Sequence, residues 1–309
     1  MKIVFFGSSD FSLRSLEACL ASGHETVLVV TTPPKKKGRG LHLEPTVVRL
    51  AAEKHGLPVE EFPHLRSSMA SEKLKKLAPD IFVAASYGKI IPPELLSLPQ
   101  YRLNVHPSLI PLYRGAAPVN WPILNGDKET GVSIIDIAEK MDAGDIFYQT
   151  RYPIHPAMNA VELLHELAKL SAEALAAVFE MIHKGALRGI AQDEAKVSFA
   201  RKLTKEDGLI SFEESADLIA RKIRGLSPWP GAYFFFGQER VMLLAAAPAE
   251  ASGTAKPGTV LSVEKEGSVL IAAGGGALRI HRLKPEGKNV MMASDFVNGR
   301  RLRVGETLA

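Results

Sequence analysis

Three residues of this sequence could act together on a carbonyl carbon: Asn104, His106 and Asp142. The first two lie two positions apart in "RLNVH", where alternation along a strand directs both side chains to one face. An Asn amide can donate to a carbonyl oxygen that becomes negative, and an imidazole can donate to it or relay a proton. Asp142 lies in "EKMDAGDI", between two predicted strands, where its carboxylate could fix the charge of the His. The three residue types indicate acyl transfer.

The same three residues also admit a purely structural interpretation. Asn104 can cap a turn, His106 can satisfy loop backbone groups, and Asp142 can belong to an Asp-Ala-Gly turn. Other common motifs do not occur: there is no G-x-G-x-x-G, no G-x-x-x-x-G-K-[ST], no H-E-x-x-H and no G-x-S-x-G. The sequence therefore disfavours the commonest nicotinamide, nucleotide-hydrolysing, zinc-protease and serine-esterase sites.

Strands that alternate with helices must position these residues. Apolar runs predict strands at 2–7, 25–32, 80–86 and 102–106, and amphipathic stretches predict helices at about 11–21, 45–56 and 71–78. This order is typical of a mostly parallel sheet with helices on both faces. Ligands bind such sheets beyond the carboxyl ends of their strands, where Gly7, Ala84–Gly88 and Asn104–His106 fall. A strand-turn-strand unit at 130–154 and a long helix at 159–184 follow.

The pattern changes in the last third of the chain. A polar, weakly periodic stretch reads as a linker, and one short helix and several glycine-punctuated short strands follow it. The sequence thus predicts an α/β fold in three parts: a catalytic domain at 1–188, a linker at 189–206 and a small C-terminal β-barrel at 207–309.

Composition limits the possible partners and surroundings. The formal net charge is +4, and residues 201–309 carry the excess, with 16 Lys and Arg against 12 Asp and Glu. Such a balance is compatible with a polyanionic partner, although ordinary surfaces often carry as much. The single cysteine, Cys19, excludes a disulfide framework and a cysteine-based metal site. No apolar run approaches the length of a spanning helix, so we expect a cytoplasmic protein without a membrane partner.

A long stretch around the first two residues carries a family resemblance. "NVHPSLIPLYRGAAPVNWPILNG" followed by "TGVSIIDIAEKMDAGDI" closely resembles the signature of the 10-formyltetrahydrofolate-dependent formyltransferases. Four further stretches are similar to the branch that acts on methionyl-tRNA: "PPKKKGRGLHLEPTVVRLAAEKHGLPV", "DIFVAASYGKIIP", "LSPWPGAYFFF" and "DFVNGRRLRVGETL". The resemblance implies a Rossmann-like domain, an OB-like barrel that binds tRNA, and metal-free transfer of a formyl group from 10-formyltetrahydrofolate to the α-amine of initiator methionyl-tRNA.

The resemblance also implies roles for individual residues. Catalysis is assigned to Asn104, His106 and Asp142. Folate contacts are assigned to Ser108, Leu109, Ile110, Pro111, Ala85, Tyr87, Gly88 and Ile90. Contacts with the tRNA acceptor stem are assigned to Arg39 above all, and to Lys35, Lys36 and Lys37. Phosphates attract such a basic run, although a solvated loop before a helix is the alternative. We expect a monomer.

Departures from the family pattern are few. "SSDF" at Ser8–Phe11 stands where Thr-Pro-[DE]-Phe is frequent, and Ile110 stands where Leu is commoner. The first departure puts direct folate contact by the first strand-to-helix turn in doubt.

Three other functions stay open from the sequence. A formyltransferase acting on an amino-sugar nucleotide or a small ribonucleotide would share the three residues, but would not explain "LSPWPGAYFFF" with a basic second domain and "KKKGRG". A formyltetrahydrofolate hydrolase would use water instead of an amine. A catalytically silent RNA-binding module would explain the basic barrel and leave Asn104, His106 and Asp142 without purpose.

Overall fold

The computed structural model of the chain describes residues 1–37, 42–250 and 255–308. They form two compact units. The first unit comprises Met1–Pro118, Glu129–Pro153 and Leu163–Arg201, and the second comprises Val119–Lys128, Ile154–Glu162 and Lys202–Ala309.

The first 200 residues contain the elements that carry the predicted site. In chain order these are β1 (Lys2–Gly7), α1 (Asp10–Ala21), β2 (Glu25–Val30), β3 (Lys35–Lys37), β4 (His42–Glu44), α2 (Val47–Lys54), β5 (Val59–Glu60), α3 (Ser68–Leu77), β6 (Ile81–Ala85), α4 (Pro93–Leu96), β7 (Tyr101–His106), β8 (Arg114–Gly115), α5 (Asn120–Asn125), β9 (Glu129–Asp136), β10 (Ile146–Pro153), α6 (Ala160–His183) and β11 (Phe199–Ala200). Of these, α5 belongs to the second unit.

A seven-stranded sheet forms the centre of the first unit, in the order β10-β9-β7-β6-β1-β2-β5. The strands from β7 to β5 are mutually parallel, whereas β9 and β10 are antiparallel to their neighbours. The predicted mostly parallel, Rossmann-like sheet is confirmed. The sequence of β1 explains why this strand lies inside the sheet: Ile3, Val4, Phe5 and Phe6 are all apolar and fully buried. A continuous apolar run of this kind suits a strand covered on both faces.

Side-chain caps fix where two helices of this unit begin. Thr46 Oγ1 accepts from the backbone N–H of Arg49 at the start of α2, and Ser67 Oγ accepts from that of Ala70 at the start of α3. Each bond satisfies an amide that lacks a partner in the first turn of a helix.

Strand register brings the predicted site together at one edge of the sheet. Gly7 of β1 pairs with Ala85 of β6, and Ala85 pairs with Val105 of β7. His106 in turn lies opposite Ser133 of β9. The carboxyl ends of β1, β6 and β7 therefore coincide, as expected for the binding edge of an open parallel sheet.

The second unit contains α5 and the C-terminal elements. In chain order the latter are α7 (Ala216–Gly225), β12 (Ala232–Phe236), β13 (Glu239–Ala249), β14 (Val260–Val263), β15 (Val269–Ala273), β16 (Gly276–Pro285), β17 (Met291–Met292) and α8 (Ala293–Gly299). The sheet is antiparallel in the order β12-β13-β16-β15-β14, with β17 added to β16. Within the described residues β12 and β14 do not pair with each other, so the predicted OB-like barrel is not closed. The strands follow from local patterning, but closure depends on tilt and stagger across the whole sheet.

The polar stretch after α6 carries structure of its own. Residues 189–201 belong to the first unit, contain a short 3₁₀ helix (Glu194–Lys196) and add β11 alongside β8, with Phe199 opposite Arg114. Across the part of the chain that the structure describes, no helix has both the length and the apolar character that crossing a membrane requires.

Candidate active site

One strand end and one turn bring Asn104, His106 and Asp142 together. Asn104 and His106 lie on β7, and Asp142 lies in the turn between β9 and β10. Asn104 Nδ2 donates to Asp142 Oδ1 at 3.1 Å, and His106 Nδ1 lies 3.6 Å from the same oxygen. The side chains of His106 and Asp142 are 6% and 11% exposed, so this contact is largely screened from water. The juxtaposition predicted from the sequence is present.

The Asp142 carboxylate is held on its second oxygen as well. The backbone N–H of Gly115, in β8, donates to Asp142 Oδ2 at 2.9 Å. The backbone of Asp142 has a φ of +53°, a left-handed conformation that Asp tolerates better than most residues. Each carboxylate oxygen therefore has its own donor, which fixes the orientation of the carboxylate toward His106.

His106 has protein atoms at both ring nitrogens. Its Nε2 lies 2.9 Å from the carbonyl oxygen of Tyr113. Because a carbonyl oxygen only accepts, this hydrogen bond requires a hydrogen on Nε2. Nδ1 then faces the Asp142 carboxylate and can donate to that carboxylate when Nδ1 carries a hydrogen as well. The ring is thus clamped between the β9–β10 turn and the segment after β7.

Hydrogen bonds from β9 and β10 hold the "SLIP" segment that follows β7. The buried Ser133 Oγ donates to the carbonyl of Ser108 at 2.6 Å and accepts from the N–H of Ile110 at 3.1 Å. Gln149 Nε2 donates to the carbonyl of Ile110 at 2.7 Å and to Ser133 Oγ at 2.8 Å. Ser108 Oγ donates to the carbonyl of Leu112 at 2.7 Å. No pattern in the sequence pointed to Ser133 or Gln149, because their partners lie in another strand-loop unit.

The predicted folate residues differ in what they offer a ligand. The side chains of Ser108, Ile110, Ala85 and Tyr87 are buried, Leu109 and Pro111 are half-buried, and Gly88 and Ile90 are exposed. In "SLIP", therefore, Leu109 and Pro111 are the residues that are partly accessible.

The hydroxyl of Tyr87 stands out among them. It is buried and has no hydrogen-bond partner among the residues that the structure describes. Burial raises the pKa of Tyr87 to about 12, because the phenolate would lose its hydration. A buried hydroxyl without a partner is costly, so an additional polar group from a bound molecule would be favourable there.

Three of the four residues predicted to contact tRNA lie in one short strand. Lys35, Lys36 and Lys37 form β3, which pairs with β4 in a short antiparallel hairpin that the sequence did not predict. Arg39 lies outside the described residues. Among the residues with described positions, no three His, Cys, Asp or Glu side chains are grouped in a way that could hold a metal ion.

Family models match both units of the chain. The formyl transferase family matches residues 1–179, and the formyl transferase C-terminal domain matches residues 202–301. A protein of Geotalea uraniireducens and one of Moorella thermoacetica, both named methionyl-tRNA formyltransferase, are 37% and 38% identical to this chain over 309 residues. The alignments cover 100% of this chain and 98% and 99% of those two proteins.

Solved structures with the same fold bind folates. HypX from Aquifex aeolicus, in complex with tetrahydrofolic acid, aligns with a TM-score of 0.65 at 21% identity over 96% of this chain and 47% of that one. This chain thus spans about half the length of HypX. An N-formyltransferase from Helicobacter canadensis, in complex with folinic acid and dTDP-3-aminofucose, aligns with a TM-score of 0.68 at 18% identity over 91% and 98% of the two chains. At these identities the likeness shows the fold alone.

Proposed function

This chain belongs to the methionyl-tRNA formyltransferase family, and we propose that Asn104, His106 and Asp142 are the residues with which it transfers the formyl group of 10-formyltetrahydrofolate to the α-amine of initiator methionyl-tRNA. The observation that carries the proposal is the shared contact of Asn104 Nδ2 and His106 Nδ1 with one oxygen of Asp142.

Asn104 supplies the donor for the oxyanion. Its Nδ2 has two hydrogens, and the bond to Asp142 uses one of them and orients the other. The amine nitrogen bonds to the formyl carbon, the formyl oxygen becomes negative, and the second hydrogen of Asn104 stabilises it. A single preorganised donor of this kind contributes about 10²–10³-fold in rate.

His106 and Asp142 orient the site and supply a proton route. Asp142 Oδ1 lies 3.6 Å from His106 Nδ1 and fixes the orientation of the ring beside the developing oxyanion. To donate a hydrogen bond directly to the oxyanion, the His106 ring would have to give up its contact with either the Tyr113 carbonyl or the Asp142 carboxylate. As the carbon–N10 bond breaks, the proton lost by the attacking amine passes to N10 of the departing tetrahydrofolate. No covalent enzyme intermediate is needed.

The formyl donor fits beside these residues. The edge formed by β6 and β7 carries Tyr87, whose buried hydroxyl has no partner among the described residues, and the half-buried apolar side chains of Leu109 and Pro111. Two solved structures that share the fold contain folates, which supports a folate as the formyl donor.

The acceptor would be held by basic groups of both units. We propose that Lys35, Lys36, Lys37 and Arg39 contact the acceptor stem, and that the second unit, matched by the formyl transferase C-terminal model, binds tRNA through its basic surface. Such an enzyme would act as a monomer in the cytoplasm, where charged tRNA is used.

The test is formyl transfer from 10-formyltetrahydrofolate to four acceptors offered separately: charged initiator tRNA, charged elongator methionine tRNA, an amino-sugar nucleotide and water. We expect fast transfer to the initiator tRNA only. His106→Ala should lower kcat while leaving tRNA affinity close to that of the wild type.

Other outcomes would change specific parts of the proposal. Transfer only to water or to the sugar would preserve the three catalytic residues and remove the tRNA assignment. Equal losses of kcat and of tRNA affinity in His106→Ala would remove the catalytic role of that residue. Folate binding without turnover would favour the silent RNA-binding alternative.

A further inference from the structure

The backbone of the Asp142 turn is held by a side chain from the segment after α6. Gln192 Nε2 donates to the carbonyl of Asp142 at 2.9 Å and to the carbonyl of Gly144 at 2.6 Å. Its Oε1 accepts from Arg114 Nε at 3.0 Å and from Nη2 at 2.7 Å. One amide therefore links the turn that carries Asp142 to β8, the strand whose Gly115 N–H holds the Asp142 carboxylate.

Arg114 is an unusual anchor for such a link. Its side chain is only 1% exposed, and burying a guanidinium is costly unless its N–H groups are hydrogen-bonded. Gln192 satisfies one edge, and the carboxylate of Glu194 accepts from Nη2 at 2.7 Å and from Nη1 at 3.4 Å. The hydrogen bond from Arg114 lowers the pKa of Glu194, which keeps that partner charged. The guanidinium is thus fixed in place by Gln192 and Glu194 together.

The chemistry at position 192 is restrictive. A guanidinium only donates and carbonyl oxygens only accept, so the group between them must accept on one side and donate on the other. A side-chain amide does both in one plane, whereas a carboxylate has no donor for the carbonyls and an ammonium has no acceptor for Arg114. Each hydrogen bond of this set constrains the β9–β10 turn relative to β8.

We infer that Gln192, anchored on Arg114, is a positioning residue for formyl transfer: it holds the turn so that the Asp142 carboxylate meets Asn104 and His106. This inference rests on the proposed catalytic role of Asp142. Gln192 contacts neither Asn104 nor His106 and reaches them through that turn. Its removal releases the carbonyls of Asp142 and Gly144 and one edge of the Arg114 guanidinium, while the hydrogen bonds that hold the "SLIP" segment are kept.

The test compares Gln192→Ala and Gln192→Glu with Asp193→Asn as the matched control. Gln192→Glu keeps the shape and the acceptor for Arg114 but points carboxylate oxygens at two carbonyls. Asp193 is exposed and pairs with Lys196 at 3.0 Å, away from the turn, and Asn can keep its cap on the N–H of Ala195. Both Gln192 variants should lose roughly 10–100-fold in kcat, because a displacement of about 1 Å can cost 10²-fold.

The accompanying readouts separate positioning from folding. KM for the formyl donor and for charged tRNA should stay within about twofold of the wild type, as expected when only transition-state interactions are lost. The pH profile of kcat should change in both variants, since the Asp142 carboxylate no longer faces His106 in one fixed geometry. Asp193→Asn should match the wild type in kcat, pH profile and melting temperature.

The outcomes distinguish this inference from the proposed function. If Asp142→Asn transfers formyl groups at the wild-type rate, the proposed catalytic role fails first. If Asp142→Asn is impaired while both Gln192 variants keep the wild-type kcat and pH profile, the positioning role is wrong. A loss of activity in both variants that merely follows a large fall in melting temperature, with an unchanged pH profile, would equally overturn it in favour of a role in folding alone.

Discussion

The carboxylate of Asp142 has contacts on both oxygens: Asn104 and His106 share Oδ1, and the Gly115 N–H occupies Oδ2. Hydrogen bonds to a charged group in a partly buried position are stronger than neutral ones and fix its orientation. An amide at this position can satisfy only one side, because its NH₂ group must then face a donor. Charge and geometry at Asp142 are therefore inseparable.

Asp142→Asn tests this at the scale of one residue. Asn adopts left-handed backbone conformations readily, so the variant should fold with a melting temperature close to that of the wild type. Loss of the charge beside His106 and of one acceptor should lower kcat by about 10²–10³-fold. Asp145→Asn, an exposed carboxylate in the same turn, is the control and should keep full activity. Wild-type kcat in Asp142→Asn, measured by formyl transfer to charged tRNA, would contradict the assignment.

Tyr87→Phe tests the folate site. Removing a buried hydroxyl that lacks a partner among the described residues should leave stability unchanged or raise it by about 1 kcal/mol. If the hydroxyl binds the formyl donor, KM for the donor should rise about two- to tenfold, the equivalent of one hydrogen bond. Tyr152→Phe, at a tyrosine near the end of β10, is the control. A KM that does not change would remove Tyr87 from the folate contacts.

The raised pKa of Tyr87 adds a pH signature to the same variant. In the unfolded chain a tyrosine ionises near pH 10, whereas the folded value is about 12, so the unfolded state releases its proton first. This residue should therefore make the protein less stable as pH rises from about 10 to 12 and should have no such effect below that range. The difference in melting temperature between Tyr87→Phe and wild type should grow with pH across this window.

At the scale of elements, a close backbone approach shapes the turn between β9 and β10. A Cβ on Gly144 would lie 2.0 Å from the carbonyl oxygen and 2.7 Å from the carbonyl carbon of Asp136, which are rigid backbone atoms. Gly144 also provides a carbonyl to Gln192. The turn that carries Asp142 therefore depends on a position where only glycine fits.

Gly144→Ala should disturb this turn and the site together. Overpacking of this kind costs about 1–3 kcal/mol in stability, and the displaced turn should also lower kcat. Gly299→Ala is the matched control, because its Cβ would meet nothing within 4 Å and its φ is not positive. Thermal unfolding and formyl transfer measured on both variants provide the check. An alanine at 144 with wild-type stability would show that the backbone of Asp136 can move aside.

At the scale of the whole molecule, charge is divided unevenly along the chain. The excess of Lys and Arg lies in residues 201–309, and a second basic run, Lys35–Lys37, lies in the first 200 residues. Polyanion binding by such groups weakens with salt in proportion to the number of phosphates that they neutralise. The use of tRNA should therefore be far more salt-sensitive than the use of the formyl donor.

A triple variant, Lys35→Ala, Lys36→Ala and Lys37→Ala, tests the basic run of β3. Each lost phosphate contact should reduce the slope of log kcat/KM for tRNA against log salt by about 0.7–0.9. The same charge change at Lys73, Lys75 and Lys76 of α3 is the control. Arg39→Ala should likewise weaken tRNA use in a salt-sensitive way. Equal slopes in wild type and triple variant would remove the run from the interface.

Local patterning alone determined much of this protein. The buried apolar run of β1 predicted a parallel strand, and alternation in β7 predicted that Asn104 and His106 share a face. The rule for open parallel sheets then placed both at the binding edge. These conclusions need only the periodicity of residues a few positions apart, which local backbone geometry and burial fix.

Only the tertiary structure decided how Asp142 is held. Gly115 lies 27 positions from it and Gln192 lies 50 positions away, in a stretch whose polar composition predicted a linker. Local patterning also did not predict that the C-terminal sheet is open or that β3 pairs with β4. Such contacts depend on which packed elements close which loops, and on polar groups that find partners only once the core has formed, so no short-range pattern in the sequence encodes them.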